Sequence, residues 1–135
     1  MDVGLPAPVV TPETAPYWDG ARSGKLLLQR CLECGALRFY PRRACPSCWS
    51  ERVEWTEASG RGRVHTFSVI HRPPAPAFAT RVPYVVALVD LEEGPRMMAN
   101  IVGDDALDVA IDEAVTVTFE PRGGVVLPQF RRLVR

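Results

Sequence analysis

The sequence contains no apolar run long enough to cross a bilayer and no recognisable export signal. A membrane-spanning helix needs roughly 20 apolar residues, and no stretch of the chain approaches that length. Residues 1–6 include neither a basic segment nor an apolar segment of the kind that begins a signal peptide. We therefore expect a cytoplasmic protein that does not associate with a membrane, in a compartment where thiols stay reduced.

Side chains that could carry out catalysis are also few. The chain has only two histidines: His65 falls within a β-run, whereas His71 opens a proline-rich loop and is the better candidate for a functional residue. Ser59 and Ser68 have no acid–base relay near them in the sequence. Neither a phosphate-binding loop nor a dinucleotide fingerprint occurs. We predict no catalytic residue, and no enzymatic activity of the chain on its own.

Lysine is almost absent, because 15 of the 16 basic residues are arginines, which suit the recognition of phosphate or carboxylate groups. The 16 basic and 16 acidic residues cancel over the whole chain. Residues 22–81, however, hold 11 basic and 4 acidic residues, whereas residues 82–120 hold 1 and 9. The basic half can steer an anionic partner. Alternatively, the two halves are solvated faces of opposite sign.

The four cysteines form two Cys-x2-Cys pairs, Cys31 with Cys34 and Cys45 with Cys48, and ten residues separate the pairs. Zinc prefers four tetrahedral ligands, and thiolates are good ones. Two disulfides would need an oxidising compartment, and a redox pair would need a thioredoxin-like βαβ setting. We predict one structural Zn²⁺ per chain with all four cysteines as ligands. A rubredoxin-type iron centre is the alternative metal site.

The residues that follow the two cysteine pairs differ. Gly35 suits the left-handed backbone conformation that a knuckle of this kind often needs. Trp49 stands at the corresponding place after the second pair, where a glycine would be expected. We therefore expect the second knuckle to close in a different way.

The chain divides into three predicted segments. Residues 1–24 are predicted to form an N-terminal arm and a short helix. The arm is extended or disordered over 1–12, and the helix, capped by Thr14, contains Tyr17 and Trp18. Residues 25–58 are the zinc ribbon, with strands leading into the first cysteine pair and following the second. Residues 59–135 are the second module, which begins at the Ser-Gly-Arg-Gly turn.

The second module reads as strands and turns. Five β-runs alternate with turns, a short helix is expected between the third and fourth runs at 104–111, and Gly123-Gly124 marks a hairpin. The run 84–91 is nearly all apolar, as in a central strand buried on both sides. This order predicts a mostly β protein in which a five-stranded OB-fold barrel follows the short helix and zinc ribbon. An SH3-like barrel is the competing all-β fold.

A 13-residue loop, 71–83, interrupts the barrel after its first run and contains four prolines and Phe78. Long loops in compact domains are often functional, and OB-folds place ligands at such loops. The prolines make the loop semi-rigid, so that Phe78 could be presented to a partner. The alternative is an ordinary surface loop in which Phe78 packs against the protein itself.

Several short motifs together resemble one family. The chain is similar to thiolase-associated proteins with a rubredoxin-like zinc ribbon followed by an OB-fold, long catalogued as a domain of unknown function. The matching stretches run in family order: Pro16–Gly20, Leu28–Gly35, Tyr40–Arg42, Cys45–Cys48, Ser59–Gly62, His71–Pro74, Pro83–Ala87 and Leu127–Phe130.

The resemblance implies a partner and a metal. In that family a thiolase-like subunit holds the catalytic cysteine and histidines, and the ribbon/OB subunit stabilises it and in some members helps bind the CoA thioester. The settings include aromatic and steroid catabolism, and archaeal mevalonate synthesis. The resemblance carries over only the four zinc ligands, and no residue that contacts CoA is assigned.

Three hypotheses of function are therefore compared. The first is a non-catalytic accessory subunit in a hetero-oligomer with a thiolase-like acyl-CoA enzyme. The second is a nucleic-acid-binding ribbon/OB protein, which the basic half would suit. The third is a stand-alone hydrolase or lyase, which the lack of a nucleophile disfavours. The isoelectric point near 6.7 and the acidic second half favour the first. The tyrosine–tryptophan helix and the Phe78 loop are the predicted partner surface, because both place large aromatics on short segments.

Overall fold

The computed structural model describes residues 7–39 and 41–133. Residues 1–6 of the predicted arm, and Tyr40 between the cysteine pairs, lie outside the described residues. The elements of the described part are α1 (Ala15–Arg22), β1 (Leu27–Cys31), β2 (Leu37–Arg38), β3 (Val53–Glu57), β4 (Arg61–Ile70), a 3₁₀ turn (Pro76–Phe78), β5 (Tyr84–Leu91), β6 (Arg96–Val102), a 3₁₀ turn (Ala106–Asp108), β7 (Ala114–Arg122) and β8 (Val125–Arg132).

Helix α1 begins directly after Thr14, as the sequence predicts. The side chain of Thr14 does not cap the helix, however. Its Oγ1 instead accepts a hydrogen bond from the Thr11 N–H at 3.0 Å, within the turn that precedes the helix. The helix ends at Arg22, between Gly20 and Gly24, the two residues at which the sequence predicts its end.

The first three strands form a small antiparallel sheet in the order β2-β1-β3. Five residue pairs join β1 to β3, from Leu27 opposite Glu57 to Cys31 opposite Val53. The sequence predicts a strand over 25–30, but β1 is displaced towards the C-terminus and includes Cys31. The first cysteine is therefore held by a strand and not by the loop after it.

The remaining strands form a closed barrel in the order β4-β5-β6-β8-β7. Strands β6 and β8 run parallel, and the other neighbours run antiparallel. A single 3₁₀ turn, Ala106–Asp108, connects the third and fourth barrel strands where a short helix is predicted. This order and connection confirm the OB-fold prediction over the SH3-like alternative.

Two barrel strands differ from their predictions. Strand β4 begins at Arg61, so that the turn predicted over 59–62 is shorter and Gly62 pairs with Leu91. A Cβ on Gly62 would lie 2.7 Å from the Asp90 carbonyl oxygen, which explains the glycine. Strand β5 alternates fully buried and half-buried residues and is not buried on both sides, because a barrel strand has one interior face and one outer face.

The ribbon and the barrel share one apolar core. Its buried members are Tyr17, Leu26, Leu28, Ala58, Val64, Val85, Ala87, Val89, Leu91, Met97, Ile101, Val109, Val115 and Phe130. The backbone N–H of Ala58 also donates to the Leu26 carbonyl oxygen at 2.8 Å, directly beside the predicted limit between the two segments. The segment limits at 24/25 and 58/59 remain predictions.

Candidate metal centre and partner surface

The structure brings the four cysteines together. All four Sγ atoms lie within 4.8 Å of one another. The Sγ atoms of Cys31 and Cys48 are 3.5 Å apart, and those of Cys34 and Cys45 are 3.6 Å apart. Cys31 and Cys45 are buried, whereas Cys34 and Cys48 are exposed. The group therefore has a covered side, towards the ribbon sheet, and a side open to solvent.

Each cysteine pair lies in a backbone knuckle, and the two knuckles have the same hydrogen bonds. In the first, the Gly35 N–H donates to the Cys31 carbonyl oxygen at 2.9 Å, and the Cys31 N–H donates to the Ala36 carbonyl oxygen at 2.8 Å. In the second, the Trp49 N–H donates to the Cys45 carbonyl oxygen at 2.7 Å, and the Cys45 N–H donates to the Ser50 carbonyl oxygen at 2.8 Å. A two-residue spacing thus produces the same turn twice.

The expectation that the second knuckle closes differently is wrong. Trp49 adopts a left-handed conformation, with φ +66°, close to the +75° of Gly35. The backbone of a tryptophan therefore takes the place of a glycine, at a cost of roughly 1–2 kcal/mol for a residue with a Cβ. Its side chain is 80% exposed and receives little packing in return.

The local backbone favours thiolates at the two buried positions. The backbone N–H of Cys34 lowers the pKa of the Cys31 thiol. Burial raises the pKa of Cys45, but the backbone N–H groups of Ser47 and Cys48 outweigh it and lower that pKa to about 6. At Cys34 and Cys48 the backbone N–H groups of Ala36 and Ser50 also lower the pKa, but the hydrogen bonds with Cys45 and Cys31 contribute to a net rise. Deprotonated sulfur is the form that binds a metal ion, so the backbone favours that form most at the two buried cysteines.

One residue that supports this site is not found by sequence reasoning. Gln29 is only 2% exposed, although it is polar, and its Oε1 accepts a hydrogen bond from the Arg42 N–H at 2.8 Å. This bond attaches the segment between the knuckles to strand β1. A glutamine among the leucines that precede Cys31 is the signal that could have found it.

The structure does not assemble a catalytic relay from the histidines and serines. His65 lies on β4, and its Nδ1 is 3.5 Å from Asp90 Oδ2. The other oxygen of the Asp90 carboxylate forms an ion pair with Arg96. His71 is exposed at the start of the loop. Within 7–39 and 41–133, no hydrogen bond joins either candidate serine to a histidine. Ser59 Oγ instead accepts a bond from the Arg61 N–H.

The aromatic residues predicted as a partner surface have different environments. Tyr17 is 5% exposed and packs edge-to-face against Trp18 and Phe39, so it belongs to the protein's own core. Burial raises the pKa of its phenol far above the ordinary value. Trp18 and Phe78 are half-buried, and the Phe78 ring lies 5.8 Å from that of Tyr84. The loop is therefore folded back onto the barrel.

Trp18 and Phe78 line a common hollow between helix α1, the ribbon and the barrel. Its volume is about 500 Å³, and its other lining residues include Phe39, Met98 and Pro128. Helix α1 and the 71–83 loop thus contribute to one concave apolar surface and do not form two separate ones. No helix within 7–39 and 41–133 has the length and apolar character that crossing a membrane requires.

Comparison with known proteins identifies the architecture. Residues 18–54 match the family model of the ChsH2 rubredoxin-like zinc ribbon domain, and residues 55–120 match that of the ChsH2 C-terminal OB-fold domain. A solved structure described as an Ltp2-ChsH2(DUF35) aldolase matches with a TM-score of 0.83 and 38% identity, over 95% of this chain and 100% of that one. The chain belongs to the ChsH2 zinc-ribbon/OB-fold family.

Relatives of this ChsH2-family chain are named as enzyme subunits. A probable enoyl-CoA hydratase alpha subunit from Thermomonospora curvata is 38% identical over 96% of this chain, which spans only 40% of that relative's length. The benzoylsuccinyl-CoA thiolase subunit BbsA from Thauera aromatica is 31% identical over 87% of this chain and 76% of its own length. The match thus extends over most of BbsA but covers less than half of the longer relative.

Proposed function

We propose that the four cysteines hold one structural Zn²⁺. At a Zn–S distance of 2.3 Å, a tetrahedral site places its sulfur atoms about 3.8 Å apart. The distances of 3.5 and 3.6 Å join sulfurs of different Cys-x2-Cys pairs, and these distances and the 4.8 Å limit for the whole group fit that geometry without rearrangement of the chain. Four protein ligands leave no position for substrate, so the metal's part is to fix the two knuckles.

The chain acts as a non-catalytic accessory subunit of a thiolase-like acyl-CoA enzyme. The observation that carries this function is the match to BbsA, a named thiolase subunit, across both the ribbon and the barrel. The aldolase whose solved structure matches the chain supports the same role, because its printed name pairs a ChsH2(DUF35) component with Ltp2. In this role the chain stabilises the catalytic subunit and helps it to bind the CoA thioester.

The charges disfavour the nucleic-acid alternative. Many arginines of the basic half are already paired with acidic side chains, among them Arg30 with Glu54 and Arg43 with Glu51. Arg61 makes two hydrogen bonds to the Glu92 carboxylate, at 3.1 Å each. An arginine that is already paired with a carboxylate attracts a phosphate group less strongly than an unpaired arginine does. Binding to the phosphate backbone of a nucleic acid depends on positive charge that is not neutralised in this way.

Co-expression with a thiolase-like protein from the same organism tests the proposed subunit role. A stoichiometric complex on size-exclusion chromatography, with acyl-CoA turnover that exceeds that of either protein alone, is expected. The purified chain alone should turn over no acyl-CoA. Turnover by the chain alone that His71→Ala abolishes would show that the chain is itself an enzyme. Material absorbing at 260 nm that co-purifies in place of the protein partner would favour nucleic acid.

A further inference from the structure

Three neighbouring barrel strands present a continuous outward surface. Paired residues on antiparallel strands share a face. The pairs Ile70–Tyr84, Ser68–Val86 and Leu88–Met98 all lie on the outside, because the alternate residues of β5, Val85, Ala87 and Val89, fill the barrel interior. We call these six outward residues the outer barrel face. Five of the six are apolar or aromatic.

This outer barrel face is accessible and concave. Met98 is 65% exposed, which is high for a methionine in the middle of a strand. Val86 and Met98 line both the hollow of about 500 Å³ beside Trp18 and a second hollow of about 310 Å³ over β4 and β5. The outer barrel face therefore continues into the 500 Å³ hollow that Phe78 lines. Extended apolar surfaces of this kind mark interaction sites.

The charges around the face indicate what it binds. None of its six residues is charged, and most of the charged residues near it are in ion pairs, whereas the exposed Arg72, two residues after Ile70, is in none within the described residues. Arg96 Nε is 2.6 Å from Asp90 Oδ1, and Glu120 Oε2 is 2.7 Å from Arg122 and 3.5 Å from Arg81. An apolar centre with a polar border of balanced charge is typical of protein interfaces, whereas single-stranded nucleic acid requires a basic groove.

We propose that the outer barrel face is the surface on which a thiolase-like protein subunit docks, through an uncharged apolar patch of its own. The inference rests on the proposed accessory function and adds the location of the interface. Strands β5 and β6 are the second and third strands of the barrel, and the 71–83 loop joins the first strand to the second. These are the parts of an OB-fold that bind its ligands.

The test places a charge in the centre of the face at two positions that the fold tolerates. Met98→Glu and Ser68→Glu both alter exposed side chains, so the barrel should remain folded. Ile111→Glu is the matched control, because Ile111 is 64% exposed and lies outside the face. Trp49→Ala removes the most exposed ring among the described residues of the ribbon. Each variant is checked by its zinc content and its melting temperature before binding is measured.

Binding to the co-expressed thiolase-like protein is measured by biolayer interferometry. Met98→Glu and Ser68→Glu are each expected to weaken binding at least tenfold, because a buried charge at an interface centre has no partner. Ile111→Glu should bind within twofold of the wild type. Light scattering of the chain alone and titration with an oligothymidylate complete the experiment, since a second copy and a nucleic acid are the other possible occupants.

The outcomes separate the two claims. If the wild type binds the subunit and both face variants bind equally well, the location is wrong while the accessory function stands. Loss of binding in Trp49→Ala alone would move the interface to the ribbon. If the wild type binds no thiolase-like protein, the accessory function itself fails and the docking surface with it. Dimers or an oligothymidylate complex abolished by Met98→Glu would assign the face to that occupant.

Discussion

Replacing Trp49 with glycine should stabilise the metal-loaded protein. The tryptophan backbone has a φ of +66°, and its side chain is 80% exposed. Relief of the left-handed conformation contributes about 1–2 kcal/mol, and the greater freedom of glycine in the unfolded chain costs about 0.5–1 kcal/mol. The expected net gain in the free energy of unfolding is therefore about 0.5–1 kcal/mol, which corresponds to a rise in Tm of roughly 2–4 °C.

Trp49→Ala is the control that separates the backbone from the side chain. Alanine removes the same exposed ring but keeps the Cβ that makes φ of +66° unfavourable. We therefore expect the alanine variant to melt at or below the wild-type temperature. Thermal unfolding of both variants would be followed by circular dichroism at equal zinc loading. Gly35→Ala is the reverse change at the first knuckle, where φ is +75°, and should lower the Tm.

Equal melting temperatures for Trp49→Gly and Trp49→Ala would refute this reasoning. Because both variants lack the ring, that result would mean that the positive φ of residue 49 carries no net cost once the metal holds the knuckle. Zinc content must be measured for each variant, because loss of metal would itself lower the Tm and conceal the backbone effect.

Four further predictions concern the metal, the core, the barrel closure and pH. Elemental analysis should find one zinc per chain, and Cys45→Ser should lose the metal and unfold the ribbon, whereas Ser47→Ala should retain both. Phe130→Ala removes a fully buried ring and should cost about 3–5 kcal/mol in urea unfolding. Gly62→Ala should lower the Tm, because its Cβ would meet the Asp90 carbonyl oxygen, 2.7 Å away. The hydrogen bond from Arg132 lowers the pKa of Glu113, so the stability from this pair should be complete above about pH 4.5 and lost as the pH falls further, and Glu113→Gln should reduce that dependence.

The grouping of the four cysteines and the fold class could be predicted because their signals are local. Two cysteines two residues apart can form few turns other than a knuckle, so the spacing brings the sulfurs together. Strand β5 was found with its observed limits, Tyr84–Leu91, because prolines and a glycine turn bound an apolar run. The alternation of Val115, Val117 and Phe119 with Thr116, Thr118 and Glu120 in the sequence likewise predicts a strand where β7 lies.

The environments of individual aromatic residues could not be predicted, because they depend on contacts between distant segments. Tyr17 and Phe39 are 22 positions apart in the sequence, yet their ring centroids are 5.7 Å apart in the core. A short helix bearing a tyrosine and a tryptophan looks the same in sequence whether its own chain or another covers it. The conformation of Trp49 differs from the prediction for another reason, because intrinsic preference favours glycine at a positive φ but the knuckle imposes that φ on tryptophan.

Closure of the barrel is confined to one end of the strands that complete it. Every strand has a neighbour on both sides, but β4 pairs with β7 only over Arg61–Arg63, and β6 pairs with β8 only at Ile101 and Val102. The barrel therefore keeps its order of strands while parts of β4 and β6 have a paired strand on one side only. Such stretches of backbone offer hydrogen-bonding groups to another chain, so recognition at the barrel can use the backbone as well as the outward side chains.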